Sequence, residues 1–200
     1  VEQVATPEGY ARNPELVINF YNERRKQLLE VRPNDGHLGL AELEADFNVT
    51  VVTQNIDNLH ERAGSRRIIH LHGELTKVCS SRDPYNPHYI KELKPDEYEV
   101  KFGDKAGDGT QLRPFIVWFG EPVPEIETAV NYVEKADIFV IIGTSMNVYP
   151  AAGLLNYVPR EAEVYLIDPK PVDVHSMRRI HVIQKGASEG VRELRSLLQP

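Results

Sequence analysis

The run Ile138-Phe139-Val140-Ile141-Ile142, which leads into Gly143-Thr144-Ser145, decides the fold class of this 200-residue chain. Five consecutive apolar residues that end at a glycine and two hydroxyl side chains predict a buried strand followed by a turn. Working outward, predicted strands lie at 114–119, 163–167 and 180–183, and predicted helices lie at 124–136, 151–158 and 189–198. Because strands alternate with helices, we expect an α/β fold with a largely parallel sheet that carries helices on both faces.

The composition of the chain excludes several classes of protein. A formal net charge of −7 argues against nucleic-acid binding, which usually needs a basic face, and favours basic segments in any macromolecular substrate. No run approaches the roughly 20 apolar residues of a membrane-spanning helix. Cys79 is the one cysteine, which excludes an internal disulfide and a cysteine-rich zinc site, so we expect a reducing, cytoplasmic location.

Composition also divides the chain into four predicted segments. They are a helical segment at 1–36, a core segment at 37–75, an insertion at 76–112 that is rich in Pro, Gly, Asp and Tyr, and a second core segment at 113–200. The chain opens at Val1 without a methionine or a signal-peptide pattern, so we expect further sequence upstream of it.

Polar side chains follow two other predicted strands, at 49–52 and 67–71, at the point where each strand ends. Gln54-Asn55-Ile56-Asp57 comes after the first strand, and His72-Gly73-Glu74 comes after the second. Open α/β sheets bind ligands at the carboxyl ends of their strands. We therefore expect these amides, carboxylates and the histidine to form a catalytic rim.

His70 and His72 are two residues apart on a predicted strand and therefore share one face of it. One interpretation is a metal site, which would need a third ligand that the sequence does not offer at a recognised spacing. The other interpretation makes His72, at the strand end, a general base, because an imidazole titrates close to neutral pH.

Two further strand ends suggest a nucleotide. Gly143-Thr144-Ser145 lets the backbone approach a phosphate or a ribose, although an ordinary turn with capping hydroxyls explains the same residues. Asp168 follows the strand at 163–167, where dinucleotide-binding folds place an acidic residue against the ribose hydroxyls. The chain has no Gly-x-Gly-x-x-Gly loop, which is the usual cradle of a diphosphate.

A helix is predicted from Pro14 to about Leu29, with Asn13 as its N-cap. Its apolar stripe contains Tyr21, and we expect Arg24 to lie within that stripe. In one interpretation the stem of Arg24 packs while its head reaches water. In the other, Tyr21 and Arg24 converge on a carboxylate of a ligand, which arginine holds with two parallel hydrogen bonds.

Four stretches of the chain resemble the motifs of one family, in the order in which that family has them. They are Thr53 to His60 as TQNIDNLH, His70 to Glu74 as HLHGE, Val117 to Glu121 as VWFGE, and Gly143 to Ala152 as GTSMNVYPAA. These motifs resemble those of the sirtuins, which are NAD-dependent protein lysine deacylases with a Rossmann-like fold. The resemblance implies that NAD is the cofactor, that acylated lysines of proteins are the substrates, and that nicotinamide and O-acyl-ADP-ribose are the released products.

The resemblance also implies roles for individual residues. His72 matches the catalytic base, which deprotonates a ribose hydroxyl, and Asn55 and Asp57 match its neighbours in the catalytic site. The implied cofactor contacts are Gln54, Asn55, Ile56, Asp57, Gly143, Thr144, Ser145, Asp168 and Ala187. The implied substrate contacts, on two edges that flank an added peptide strand, are Val117, Phe119, Gly120, Glu121, Met146, Asn147 and Val148.

Tyr21 and Arg24 match the Tyr-x-x-Arg pair of the sirtuins that prefer succinyl and malonyl lysine. The resemblance therefore implies removal of short acidic acyl groups as well as acetyl, with this pair holding the distal carboxylate. A non-catalytic module that binds ADP-ribose or peptide, and an NAD glycohydrolase, are the alternative functions.

The chain departs from the family pattern in three places. One is Asp168, which stands near a position where the family usually has an asparagine, so that either Ile167 or Asp168 is the counterpart. Sirtuins usually hold a structural zinc with four cysteines, whereas this chain has only Cys79, so we expect no zinc. We expect an aromatic cluster in its place, formed by Tyr85, Tyr89, Tyr98 and Phe102. The family's first strand and its Gly-Ala-Gly-x-Ser phosphate loop would precede Val1.

Overall fold

The structure is a computed structural model that describes residues 1–143, 151–172 and 178–199. The α-helices in these ranges are α1 (Pro7–Arg12), α2 (Pro14–Glu30), α3 (Asp35–Glu42), α4 (Leu59–Ala63), α5 (Ile126–Val133), α6 (Ala151–Leu154) and α7 (Ala187–Leu198). The strands are β1 (Val51–Thr53), β2 (Ile68–His70), β3 (Gly73–Ser80), β4 (Lys91–Glu92), β5 (Leu112–Ile116), β6 (Ile138–Ile142), β7 (Glu163–Ile167) and β8 (Ile180–Ile183).

The chain divides into two compact units. Unit 1 comprises residues 1–32, 53–58 and 70–124, and unit 2 comprises residues 33–52, 59–69 and 125–200. None of the described helices is long and apolar enough to span a membrane.

Helix α2 of unit 1 agrees with its predicted bounds to within one residue. The Asn13 side chain accepts a hydrogen bond from the Leu16 N–H at 3.1 Å, and Pro14 occupies the first turn, where no N–H is needed. The residues on its buried face are Val17, Ile18, Tyr21, Arg25 and Leu28. The arginine on this face is Arg25, and the prediction that Arg24 lies there is wrong, because one residue turns a helix by about 100°.

Unit 1 contains an antiparallel sheet with the strand order β4-β3-β5. Cys79 of β3 is paired with Arg113 of β5, and Val78, next to it, packs with Ile18 and Val100 in an apolar cluster. β3 runs as far as Ser80 and so extends into the stretch whose composition predicts an insertion from residue 76. β3 contains polar residues and so lacks the apolar run that predicts a buried strand. It is defined by its pairing with the neighbouring strands β4 and β5.

Unit 2 contains a parallel sheet with the strand order β6-β7-β8. All three strands have the predicted bounds, because each is mostly apolar or β-branched along its length. The buried core on this sheet is formed by Tyr165, Ile167, Ile183, Val191 and Leu194. A Cβ on Gly190 would collide with the side chain of Ile167, so a glycine is what allows α7 to pack closely on β7.

β1 and β2 form a separate two-stranded sheet. The Val51 N–H donates to the carbonyl oxygen of Arg67, and the Leu71 N–H donates to the carbonyl oxygen of Thr53, both at 2.9 Å. Because the register advances in the same direction along both chains, this pair is parallel. The predicted α/β fold with parallel strand pairing is confirmed.

Candidate active site

The two polar stretches of the predicted rim both lie in unit 1 and are hydrogen-bonded to each other. Thr53 accepts the Leu71 N–H at its carbonyl oxygen, at 2.9 Å, and the Asn55 N–H at its hydroxyl, at 3.0 Å. His70 Nδ1 lies 3.0 Å from the carbonyl oxygen of Asn55. The structure therefore brings the stretch that contains Asn55 next to the strand end that contains His72.

Gly73 allows this strand end to approach its neighbour closely. Its φ of +88° lies in the left-handed region, and a Cβ there would collide with the carbonyl oxygen of Phe115. The Val117 N–H donates to the carbonyl oxygen of His72 at 2.9 Å. The candidate base and the first residue of the candidate peptide edge are therefore joined through their backbones.

His72 has the properties of a base that works at neutral pH. Burial of the half-buried ring lowers its pKa from the ordinary value of 6.5, and a hydrogen bond with the Gln54 backbone partly offsets that decrease. A lowered pKa keeps the imidazole neutral at pH 7, and a neutral imidazole has a nitrogen that can take up a proton. Burial and the backbone bond thus prepare His72 for general-base chemistry.

The rim also holds two buried polar atoms that lack a hydrogen-bond partner among the described residues. They are Nε2 of Gln54 and Oδ1 of Asn58. A buried polar atom without a partner costs about 1–3 kcal/mol, so a ligand that pairs with such atoms gains binding energy. One donor and one acceptor fit the carboxamide and hydroxyl groups of NAD, the cofactor that the motifs imply.

His70 has different partners from His72. Its Nδ1 contacts the Asn55 carbonyl oxygen, and its Nε2 lies 3.9 Å from a carboxylate oxygen of Glu74. Glu74 also accepts a hydrogen bond from Lys77 at 2.7 Å. The ring of His70 is thus held against the rim backbone, so it supports the shape of the rim on which Asn55 lies.

The predicted peptide edge, Val117 to Glu121, forms a tight turn in unit 1. The Glu121 N–H donates to the Trp118 carbonyl oxygen at 3.0 Å, and Gly120 has a φ of +89° that favours glycine. Phe119 projects outward and is 67% exposed, which is unusual for a phenylalanine. The Glu121 carboxylate instead forms an ion pair with Arg113, so its side chain is already occupied.

Tyr21 and Arg24 are not brought together on one group in this structure. Tyr21 is 4% exposed, and its hydroxyl donates to the carbonyl oxygen of Val4 at 3.0 Å. Arg24 is exposed, with its guanidinium 3.0 Å from the Gln27 side chain and 4.9 Å from the centre of the Phe20 ring. The proposed grip on an acyl carboxylate requires both side chains to exchange these contacts.

Sequence analysis missed two buried arginines of unit 1, Arg25 and Arg113, each 4% exposed. Arg25 Nε donates to the carbonyl oxygen of Leu75 at 2.8 Å, and burial lowers the pKa of Arg25 to about 10. Helical spacing was a usable signal for Arg25, since it lies four residues after Tyr21 and eight after Val17. Arg113 has no comparable signal, because its partners lie at the end of its own strand and in the following turn, where no regular period places them.

The nucleotide candidates of unit 2 are only partly described. Gly143, with a φ of +60°, donates its N–H to the carbonyl oxygen of Ile167 at 3.0 Å. Asp168 follows at the end of β7 and accepts the Lys170 N–H at 2.9 Å, and Ala187 begins α7 with its side chain exposed. The other two nucleotide candidates, Thr144 and Ser145, lie outside the described residues, as do the substrate candidates Met146, Asn147 and Val148.

The segment expected to replace the zinc site is organised around a buried polar hub instead of an aromatic cluster. Ser80 is fully buried, donates to Asp108 at 2.5 Å, and accepts the N–H groups of Arg82 and Asp83 at 3.0 and 2.9 Å. The predicted cluster does not form as a unit, since Phe102 is 59% exposed. These bonds connect the end of β3 to two loops. The hydrogen bonds that Asp108 accepts from the hydroxyls of Ser80 and Thr110 lower the pKa of its carboxyl to about 2.

Comparison with known proteins agrees with the motifs. The model of the Sir2 family matches residues 1–150. An NAD-dependent protein deacylase of Bacteroides thetaiotaomicron is 84% identical over 200 residues, which cover 100% of this chain and 86% of that protein. An NAD-dependent protein deacylase of Helicobacter pylori is 47% identical over 194 residues, covering 97% of this chain and 82% of that protein.

Solved structures give the same family. A complex of a Sir2 homologue with NAD superposes with a TM-score of 0.81 at 34% identity, covering 99% of this chain and 78% of that chain. A complex of Sir2 with a p53 peptide and NAD+ superposes with a TM-score of 0.76 at 27% identity, covering 95% of this chain and 80% of that chain.

Proposed function

We propose that this chain, which belongs to the Sir2 family and is an NAD-dependent protein deacylase, removes acetyl, succinyl and malonyl groups from lysine side chains. The products are nicotinamide and O-acyl-ADP-ribose. The observation that carries the proposal is the rim of unit 1. There the half-buried His72, with its lowered pKa, is hydrogen-bonded to the backbone of Gln54, whose buried side-chain nitrogen Nε2 has no partner among the described residues.

In this proposal each residue of the rim has one task. NAD supplies the electrophilic ribose carbon and the nicotinamide leaving group when it is bound. Gln54 and Asn58 offer a buried donor and a buried acceptor to the carboxamide and hydroxyl groups of that ligand. Asn55 and Asp57 are proposed ligand contacts beside them, and His72 takes up a proton at the ring nitrogen that does not serve the Gln54 backbone.

In unit 2, Gly143, Asp168 and Ala187 are proposed nucleotide contacts. The backbone of Gly143 adopts a conformation that favours glycine, which permits a close approach by a phosphate or ribose. Asp168 presents a carboxylate at a strand end, where ribose hydroxyls commonly bind.

An acylated lysine in a protein segment is the proposed second substrate. The turn from Val117 to Glu121 provides the proposed edge, and the exposed ring of Phe119 offers apolar contact area beside it. The published complex of a Sir2 protein with a p53 peptide supports a peptide substrate for this chain as well. A peptide that adds along a backbone edge is recognised with little dependence on its sequence.

The preference for acidic acyl groups rests on Tyr21 and Arg24. They are three residues apart on α2, a spacing at which helical side chains are neighbours. The contacts of Arg24 with Gln27 and Phe20 are exposed, so the guanidinium gives them up at little cost when a carboxylate is offered. Tyr21 redirects its hydroxyl hydrogen from Val4 to the same carboxylate.

The test uses the full-length protein with NAD and two lysine peptides that differ only in an acetyl or a succinyl group. Arg24→Met should lower kcat/KM for the succinyl peptide by about tenfold or more and change kcat/KM for the acetyl peptide little, because a charged hydrogen-bonded pair contributes about 1.5–3 kcal/mol. Arg12→Met, at an exposed arginine of the same unit, is the matched control and should change neither.

Three outcomes would contradict the proposal in whole or in part. If Arg24→Met lowered kcat/KM equally for both peptides, the proposed preference for acidic acyl groups would be wrong, and the deacylase activity itself would not be affected by that result. Release of nicotinamide at the same rate without any acylated lysine would indicate an NAD glycohydrolase, and absence of turnover would indicate a binding module.

A further inference from the structure

Arg113 occupies a buried position at the base of the candidate peptide edge, and each of its three guanidinium nitrogens has a hydrogen-bond partner. Its guanidinium donates to both carboxylate oxygens of Glu121 at 3.0 Å, in the forked geometry that makes such pairs strong. Nη2 also donates to the carbonyl oxygen of Ile116 at 2.8 Å. The face of the guanidinium lies 3.8 Å from the centre of the Trp118 ring.

Both carboxylate oxygens of Glu121 are occupied by hydrogen bonds. One oxygen accepts from Arg113 and from the Trp118 N–H, the latter at 2.8 Å, and the other oxygen accepts from Arg113. The side chain is only 13% exposed, so its charge is directed into the protein and away from any peptide. Glu121 therefore shapes the turn of the edge, which differs from a role as a direct contact for a basic peptide.

The same guanidinium supports the candidate acyl-binding tyrosine. The Trp118 ring rests on Arg113, and Trp118 Nε1 donates to the Tyr21 hydroxyl at 3.1 Å. The Tyr21 hydroxyl thus keeps its place through a chain of two contacts that begins at Arg113 and passes through Trp118. The peptide edge and Tyr21 share one support, although 97 residues separate Tyr21 from Trp118 in the sequence.

We propose that Arg113 is a positioning residue for the acyl-lysine substrate, acting through Glu121 on the peptide edge and through Trp118 on Tyr21. The proposal rests on the proposed function, since it takes the edge at 117–121 as the peptide site. A guanidinium is required, because a lysine ammonium carries the same charge but can neither fork onto a carboxylate nor stack on an indole.

Steady-state kinetics of full-length Arg113→Lys and Glu121→Gln test this assignment. Arg113→Lys should raise KM for the acylated peptide by about tenfold or more and leave KM for NAD within about twofold, because small displacements of a substrate-binding group have large kinetic effects. Desuccinylation should fall further than deacetylation, since Tyr21 loses its support. Glu121→Gln should give the same pattern with a smaller change, and the double variant should be no worse than Arg113→Lys.

Two controls separate positioning from general stability. Arg195→Lys alters another arginine–carboxylate pair, with Glu42 on the surface of unit 2, and should leave both KM values unchanged. Phe119→Ala tests the edge itself and should raise the peptide KM without affecting the Arg113 pair. Thermal unfolding of every variant ensures that the kinetics are measured on folded protein, and Glu121→Gln serves alone if Arg113→Lys does not fold.

Each contrary outcome has one meaning. If Phe119→Ala raises the peptide KM while Arg113→Lys and Glu121→Gln do not, the positioning role is wrong and the peptide edge stands. Equal increases in the KM for NAD and for peptide would also overturn it, because they indicate a structural role alone. If no variant at the edge affects the peptide KM of an active deacylase, the peptide site itself is misplaced.

Discussion

Units 1 and 2 both bury aliphatic side chains, but the buried arginines of the described residues lie in unit 1. In unit 2 the deepest residues are aliphatic, with Leu166, Ile167 and Leu194 at most 1% exposed. In unit 1 two arginines, Arg25 and Arg113, are buried to the same degree as the apolar residues around them. Buried charge is tolerated only when it is paired and hydrogen-bonded, so unit 1 depends on specific polar contacts in addition to an apolar core, in which Val17 and Val78 are 0% exposed. The unit that carries the rim is thus the one whose shape is most sensitive to single polar groups.

The largest expected effect is on the rate of deacylation, through the candidate base His72 of unit 1. His72→Ala should lower kcat/KM for deacylation by about 10²–10⁴-fold, the usual contribution of a general base, and should leave the unfolding temperature nearly unchanged. His181→Ala is the matched control in unit 2, where the ring stacks on Tyr165 at 4.9 Å. Steady-state deacylation assays on both variants check the prediction, and comparable losses in the two would place the base elsewhere.

The two adjacent arginines of α2 give the next largest effect. Arg25→Met should lower the free energy of unfolding by about 2–3 kcal/mol, because the carbonyl oxygens of Leu75 and Tyr98 lose their donor inside the protein. Arg24→Met should stay within about 0.5 kcal/mol, since Arg24 is exposed. Urea denaturation measures both, and equal destabilisation would refute the distinction between a buried and an exposed arginine.

A smaller effect is expected at the polar hub of unit 1. Ser80→Ala should cost about 1–2 kcal/mol and lower the unfolding temperature by about 2–8 °C, because the N–H groups of Arg82 and Asp83 lose their acceptor. Ser196→Ala, at an exposed serine of α7, should change the unfolding temperature by less than about 2 °C. Calorimetry measures the unfolding temperature of both variants. If neither variant changed it, the stabilising role of the Ser80 hydrogen bonds would be wrong.

The same contrast explains which parts of the structure the sequence predicted. The strands of unit 2 were predicted with their observed bounds, because an apolar run such as Ile138–Ile142 is a local signal. β3 was missed, since its pairing partners at β4 and β5 lie far away in the chain. Local propensity cannot reveal a strand that is defined by hydrogen bonds to distant residues.

The candidate site was likewise predicted only where the signal was local in the sequence. The rim was predicted from the order of strand and polar residue, and the structure places Asn55 and the His72 strand end in hydrogen-bonded neighbouring stretches. The clamp of Arg113 on Glu121 and Trp118 was not predicted, because it depends on side-chain directions in a tight turn. Arg24 was assigned to the wrong face by one residue, although the helical period placed Arg25 there.

The most direct test of the account is the pH profile of kcat/KM for NAD-dependent deacylation, which reports the essential base of the free enzyme. Burial lowers the pKa of His72, so activity should rise as this group loses its proton, with a midpoint below the ordinary 6.5 and most of the activity present at pH 7. The limb should disappear from the residual activity of His72→Ala. An acidic limb centred at or above 6.5, or one that persists in His72→Ala, would contradict the assignment of His72 as the base.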